Sequence, residues 1–406
     1  MTESPPPSAS LWAPLKRPPF RNLMGAVVVS NTGYFMQTVA AAYLMRLWSG
    51  GDPFMVSLVQ TALFIPPVLL LLPAGALVDM LDRRRFMIFA QGWMMVMAAA
   101  LTVLVVSGVQ SPWLLLAFLV LYATGYALNT PSQSAIWAEM VGLKEVPQAV
   151  ALYSLMNNGA RIVGPSVAGA LIPVLGAASM IAFNALAYTG VIAALVSWRR
   201  ASPPQRPRSA QPWLQTLFGA FAFARTSPPY RALLIRGGIF FVVSSVFLAI
   251  LPSKAPEPDD FGAIFSFMGL GAILGVLCYQ RVAQRYARDW IVAYAIFVNA
   301  LALLAMAFAQ TVPALGLLTG AGGFTWFFVM SSIQVGAQMV LPDEMRGRGM
   351  ALINLILMGG YAFGSPLWGV IARLTNPNVC LALAGCGSLA ALALTYRMKL
   401  PEDRAE

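Results

Sequence analysis

Runs of about twenty consecutive, mostly apolar residues recur along the chain until they fill most of it, and this pattern constrains the fold more than any other feature. Hydrocarbon offers a backbone no hydrogen-bond partners, so a segment that crosses it must satisfy its own amides and carbonyls as a helix. Twelve such runs can be read, at residues 23–48, 54–78, 86–106, 113–138, 149–175 and 178–198, then 233–251, 264–279, 290–309, 315–341, 350–374 and 379–396. The expected class is an all-α membrane protein of twelve transmembrane helices in two six-helix bundles. Composition agrees, because only 10% of the residues are charged and 59% are hydrophobic, whereas a soluble domain is about a quarter charged.

The loops give the orientation. Of the 26 Lys and Arg, 22 fall on one predicted side, three (Arg46, Lys254 and Arg373) on the other, and Arg161 inside a run. Basic residues stay in the cytoplasm, so both termini are predicted to be cytoplasmic in the cell inner membrane. The predicted divisions are a tail at 1–20, a six-helix bundle at 21–200, a linker at 201–231, a second bundle at 232–398 and a tail at 399–406. The linker is rich in Pro, Arg and Ser. Within it Trp213, Leu214, Leu217, Phe218 and Phe221 recur at helical spacing, which suits a short helix on the membrane surface or packed under the bundle.

Several classes are excluded. The net charge of +11 is spread over short loops rather than one stripe with exposed aromatics, so no nucleic-acid partner is expected. The three cysteines lie in apolar stretches and histidine is absent, which leaves no disulfide framework, no metal site and no Ser/His constellation. Nothing outside the runs is long enough for a catalytic domain, so neither an enzyme nor a cofactor is expected. The first residues, rich in Pro and Ser, lack the pattern of a cleaved signal peptide.

The two halves repeat at an offset of 200 residues. Gly75, Leu77 and Arg85 meet Gly275, Leu277 and Arg285, while Gly159, Gly164 and Gly169 meet Gly359, Gly364 and Gly369. A common offset predicts two parallel repeats about an axis along the membrane normal, with a substrate site between them. Arg161 stands amid the first set of glycines, about 14 residues and roughly 20 Å into its helix. A buried charge at that depth is costly and marks a functional candidate. Two readings stand: an arginine satisfied by neighbouring carbonyls and amides, or a guanidinium that receives an oxygen-rich or anionic substrate.

Between the second and third runs stands Gly75-Ala-Leu-Val-Asp79-Met-Leu-Asp82-Arg83-Arg84-Arg85. It resembles the signature loop of the major facilitator superfamily, at the expected place in a twelve-helix order. The resemblance implies that Asp79, with Gly75, Arg83, Arg84 and Arg85, forms a gate that stabilises the outward-open state through the start of helix eleven. A plain stop-transfer cluster is the other reading. Tyr279 takes the aspartate's place in the second repeat, so such a lock is one-sided. Gly164-Pro165-Ser-Val-Ala168-Gly169 is similar to the helix-five pattern of exporters that work as antiporters, with alanine for one glycine. Tight helix packing explains these glycines equally well.

Arg21-Asn22-Leu23, Met36-Gln37-Thr38-Val39, Leu72-Pro73-Ala74-Gly75-Ala76 and Arg346-Gly347-Arg348 resemble the bacterial branch of the superfamily that contains enterobactin-type siderophore exporters and some drug efflux pumps. This chain has Tyr34 where that branch often carries an acid, and the superfamily's arginine motif on helix four is not seen around 121–125. The resemblance implies a proton-coupled exporter of a small oxygen-rich metabolite, a siderophore before hydrophobic drugs, and a monomer. All fifteen acids lie in loops or at helix ends, so Glu139 is the one candidate proton site, unless it is only a helix-end charge. Inside the runs the polar residues are neutral. Asn31, Tyr34, Gln37, Asn129, Gln133, Asn157, Gln334, Asn354 and Tyr361 join Arg161 as candidate substrate-binding residues, with helices one, four, five, ten and eleven lining the site.

Overall fold

A computed structural model of the protein describes residues 12–142, 145–198, 213–255, 260–342 and 345–401; it does not describe the side chains of residues 71–72, 75–80, 134, 162 and 213–218. The outer parts of both predicted tails and much of the predicted linker therefore lie outside the described residues. A short 3-10 turn at Ala13–Lys16 precedes the helices α1 (Pro18–Trp48), α2 (Pro53–Met80), α3 (Arg83–Val106), α4 (Pro112–Val141) and α5 (Val146–Ser197). After the linker come α6 (Trp213–Thr226), α7 (Pro228–Lys254), α8 (Asp260–Ala283), α9 (Arg288–Phe308), α10 (Val312–Val340), α11 (Arg346–Leu374) and α12 (Pro377–Thr395).

Ends are set by local chemistry. Proline occupies the first turn of α1, α4, α7, α10 and α12, where its missing N–H has no partner to lose. The Asp82 carboxylate accepts from the Arg85 amide at 2.9 Å to cap α3, and Asn376 accepts from the Val379 amide at 2.9 Å to cap α12. At 52 residues α5 is about 78 Å long by helical rise, far more than one crossing needs. It breaks at Gly176, where φ is 77° and ψ 161°, a left-handed conformation open to glycine at little cost. That break falls where the fifth predicted run gives way to the sixth.

Among the described residues, ten helices are long and apolar enough to cross a membrane, α5 being one of them. The ten do not include α1, although it has 31 residues; Ser30, Asn31, Thr32, Tyr34, Gln37 and Thr38 interrupt its apolar character.

The predicted repeat is visible in the packing of α5 and α11. A Cβ on Gly164 would sit 2.8 Å from the Thr32 carbonyl of α1, and one on Gly364 would sit 2.6 Å from the Val242 carbonyl of α7. Further along, Gly169 lies against Gly262 of α8, and Gly369 against Ser57 and Phe54 of α2. Each of these helices thus wedges between the first helix of its own half and a helix of the other half, at distances only glycine allows.

Three apolar clusters show where the halves join. Phe20, Leu23, Met87, Trp137, Leu152 and Leu195 belong to the first half alone. Tyr230, Leu233, Val292, Ile333, Leu352 and Leu400 belong to the second half alone. The third cluster draws on both halves, including Val39, Val56, Ile172, Val246, Ile250, Phe261 and Trp368. It lies toward the end that carries Arg46, Asp52, Lys254 and Arg373. At that end Arg46 Nη2 donates to the Ala255 carbonyl at 3.0 Å, Arg373 Nε lies 3.7 Å from Asp52 Oδ2, and Thr61 Oγ1 donates to the Ala362 carbonyl at 3.1 Å.

At the opposite end several of the described charges pair within one half. Arg17 meets Glu145 at 2.9 Å, and Arg84 donates to the carbonyls of Leu195 and Val196 at 2.7 and 2.8 Å, closing the C-terminus of α5 as a cation does best. Arg236, one of the basic residues the loop count assigns to the linker side, is a correction: it lies inside α7, 2% exposed and bonded to Asp289. Lys399 stands 3.5 Å from the same carboxylate. Position 236 falls within the seventh apolar run at 233–251, so Arg236 is, like Arg161, a cation inside a run. The linker helix is present as α6; it packs beside α11, α7 and α2, with Ala220 and Ala224 buried.

Candidate functional site

Between the halves lies a cavity of about 190 Å³. Its two walls differ in chemistry. The first half contributes Tyr34, Thr38, Gln60, Tyr126, Asn158 and Arg161 together with the apolar Phe35, Leu63, Phe64, Pro67 and Pro165, while the second contributes mainly Phe241, Phe265, Met268, Trp326, Phe327 and Met330, with Asn354 and Tyr361 as its polar members.

Arg161 is half-buried at the cavity wall. Its guanidinium carbon is 5.4 Å from the ring centre of Phe35, on α1, and 4.6 Å from that of Trp326, on α10 of the other half. Both distances lie within the range of a cation–π contact, worth roughly 2 kcal/mol when water is excluded. Nε of Arg161 is buried without a hydrogen-bond partner. Of the two sequence readings, satisfaction by neighbouring amides and carbonyls is not what the described residues show. A guanidinium held by ring faces keeps its N–H fork free for a planar oxyanion.

Tyr34 stacks on Tyr126 with ring centres 5.0 Å apart. Tyr361, which takes the place of Arg161 in the second repeat, stacks on Phe64 across the halves at 5.2 Å and meets Phe241 edge-on at 5.2 Å. The cavity is therefore a slot between aromatic faces with one cation in its wall.

Four of the ten residues read from sequence as substrate-binding border this cavity: Tyr34, Arg161, Asn354 and Tyr361. Asn31 donates to Asn157 at 2.9 Å, and Gln91 donates to Asn129 at 2.9 Å. Gln37 accepts from Asn184 at 2.7 Å. Gln133 shares a small polar void with Asn31, Asn129 and Tyr34, and Gln334 is half-buried on α10. Most of these amides tie α1, α3, α4 and α5 together behind the cavity wall, which is the interhelical role open to neutral polar groups in lipid.

Pro165 borders the cavity, while Gly159 faces open space. Gly75 and Asp79 fall in the last turns of α2, with side chains outside those described. Arg83 pairs with Glu139 at 3.2 Å, Arg84 caps α5 as above, and Arg85 is exposed on the first turn of α3. The expected lining by α1, α4, α5, α10 and α11 is extended by α2, α7 and α8. Those helices contribute mainly Phe, Met and Leu, which look alike in sequence whether they face lipid, core or cavity.

A twinned α-helical bundle with its cavity on the axis of the repeat is a transporter architecture, and comparison with known proteins agrees. The profile of the transmembrane secretion effector family matches residues 9–406. The chain belongs to that family. It is a major facilitator superfamily transporter, with exporters among its relatives, and not an enzyme.

Similar proteins include the multidrug efflux pump Tap of Mycolicibacterium fortuitum, 25% identical over 91% of this chain and 95% of the relative. The enterobactin exporter EntS of Citrobacter koseri is 24% identical over 95% of this chain and 93% of the relative. Among solved structures, a mutant of the nucleoside transporter NupG superposes with a TM-score of 0.78 at 13% identity, covering 94% of this chain and 99% of that one. A bacterial homologue of the human lysosomal transporter Spinster, inward-facing and occupied, gives 0.70 at 14% identity over 94% and 96%. These likenesses establish the fold.

Proposed function

We propose that the protein exports a small, oxygen-rich aromatic anion, of the kind a catecholate siderophore presents, from the cytoplasm by alternating access. Arg161 carries this reading: a cation in the wall of an aromatic slot, with ring faces and no carboxylate around it. An aromatic acid satisfies both features at once, its ring between the aromatic walls and its oxygens on the guanidinium. EntS, whose name specifies enterobactin, supports the class of cargo.

The chain crosses the inner membrane twelve times in this reading, counting α1 and both arms of α5, with both termini in the cytoplasm and a single chain as the working unit. Arg46, Lys254 and Arg373 then lie on the outer face, where the two halves share one apolar cluster. In this orientation the shared cluster would close the outer face. Asp79, Gly75 and Arg83 to Arg85 are the parts of an inner-face lock that would hold the outward-open state. Proton coupling, which the exporter resemblance implies, would rest on Glu139, paired here with Arg83 at 3.2 Å.

Efflux of uncharged hydrophobic compounds is the second reading, favoured by the Phe, Met and Trp wall of the second half and by the likeness to Tap. Export assays on cells loaded with a catechol carboxylate and, separately, with an uncharged aromatic compound separate the two. Arg161→Ala is expected to stop export of the acid in a protein that still folds and inserts. Unchanged export of the acid removes Arg161 from the site.

A further inference from the structure

No acid faces Arg161 among the described residues. The titratable groups that share the cavity wall with it are the phenols of Tyr34 on α1, Tyr126 on α4 and Tyr361 on α11. Among the described side chains, α2, α7, α8 and α10 bring only uncharged groups to the cavity. Glu139 lies on α4 beyond Tyr126 by about 20 Å of helical rise, engaged with Arg83. Among the described residues the cavity therefore holds one fixed positive charge and no side chain suited to trading a proton for cargo near neutral pH. Arginine keeps its charge in proteins, so the site has two electrical states: positive when empty, neutral when one monovalent anion is bound.

From this charge balance, and on the reading of the protein as an anion exporter, we propose that export is not proton-coupled, contrary to what the exporter resemblance implies, but electrogenic, driven by the inside-negative membrane potential with no proton moving in return. The loaded carrier crosses as a neutral pair and feels no net force from the field. The empty carrier returns with a bare guanidinium, and an inside-negative field favours that step. Arg161 ends each cycle where it began, so the net movement is one negative charge outward per anion. Phe35 belongs to the same half as Arg161 and Trp326 to the other. Their ring faces give the empty state a partner for its cation without a carboxylate that would compete with cargo.

The test uses the full-length protein in lipid vesicles and 2,3-dihydroxybenzoate as the probe, with protein-free vesicles as the baseline. At zero potential, labelled probe outside is expected to exchange with unlabelled probe inside. Vesicles made positive inside by potassium entry through valinomycin are expected to accumulate the probe about 50-fold at about 100 mV, the ratio to which about 2.3 kcal/mol per charge converts. A pH gradient alone is expected to add nothing above the baseline. Exchange with accumulation that follows the pH gradient and ignores the potential overturns this inference and leaves anion export standing. Failure of the probe to exchange at any potential overturns both.

Discussion

The two halves share an architecture and differ in what they offer a substrate. Gly164 and Gly364 seat α5 and α11 on the first helix of their own half, and Gly169 and Gly369 bring the same helices against the other half. At the equivalent position between these glycines one half carries Arg161 and the other Tyr361. The first half brings a cation, amides and hydroxyls to the cavity beside Phe35, Leu63 and Phe64, and the second brings mainly Phe, Met and Trp with Asn354 and Tyr361. Glycine packing between the halves is thus duplicated, while the cation is confined to one of them. Such a slot suits an amphipathic cargo that touches both halves at once.

The comparison can be broken at either level. The largest effect is expected where the halves agree. Gly169→Leu and Gly369→Leu each place a side chain where backbone or Ser57 already lies, and both are expected to reduce transport to background. Cysteine labelling from the two sides should show the outer end unable to close in each. If one substitution is silent, the two contacts are not equivalent.

Where the halves differ, paired substitutions should differ. Arg161→Ala is expected to lower the specificity for an anionic aromatic substrate roughly 100-fold, the scale of truncating one partner of a buried charge pair. Tyr361→Phe keeps the stacked ring and is expected to change it by no more than about threefold. Equal losses would show that recognition is not concentrated in the first half. Trp326→Leu removes a ring face from Arg161 and is expected to weaken binding about tenfold, in line with a cation–π contact partly shielded from water. Glu139→Gln should have the smallest effect, about twofold on turnover, because a half-exposed ion pair with Arg83 contributes little. Loss of gradient-driven export with exchange retained would instead make Glu139 the proton site.

Much of this was legible in the sequence. The apolar runs anticipate the long helices, and Gly176 divides α5 where the fifth run ends. The glycine repeat anticipates the packing of α5 and α11, and Arg161 stands out because a charge inside an apolar run has few harmless explanations. The aromatic walls were not legible: Phe64, Phe241, Phe265 and Trp326 face the cavity, yet Phe89 and Phe308 are exposed on the outer surface, and no local pattern separates the two sets. Asn31, Gln37 and Asn129 were equally ambiguous. A neutral amide in a membrane helix can line a cavity or join helices, and only the partner, Asn157, Asn184 or Gln91, tells which. Arg236 falls within the seventh apolar run at 233–251 and is legible there as a second cation inside a run, whereas its partner Asp289, 53 residues away, is not.

In the proposed function Arg161 selects the charge of the cargo. Counterflow in lipid vesicles with an aromatic carboxylate and its uncharged amide, for the native protein and Arg161→Gln, tests it most directly. The native protein is expected to prefer the acid by about 100-fold, as one buried charge pair allows, and Arg161→Gln to transport both at similar, low rates. A preference for the acid that survives the substitution, or a native protein indifferent to the charge, would contradict the account.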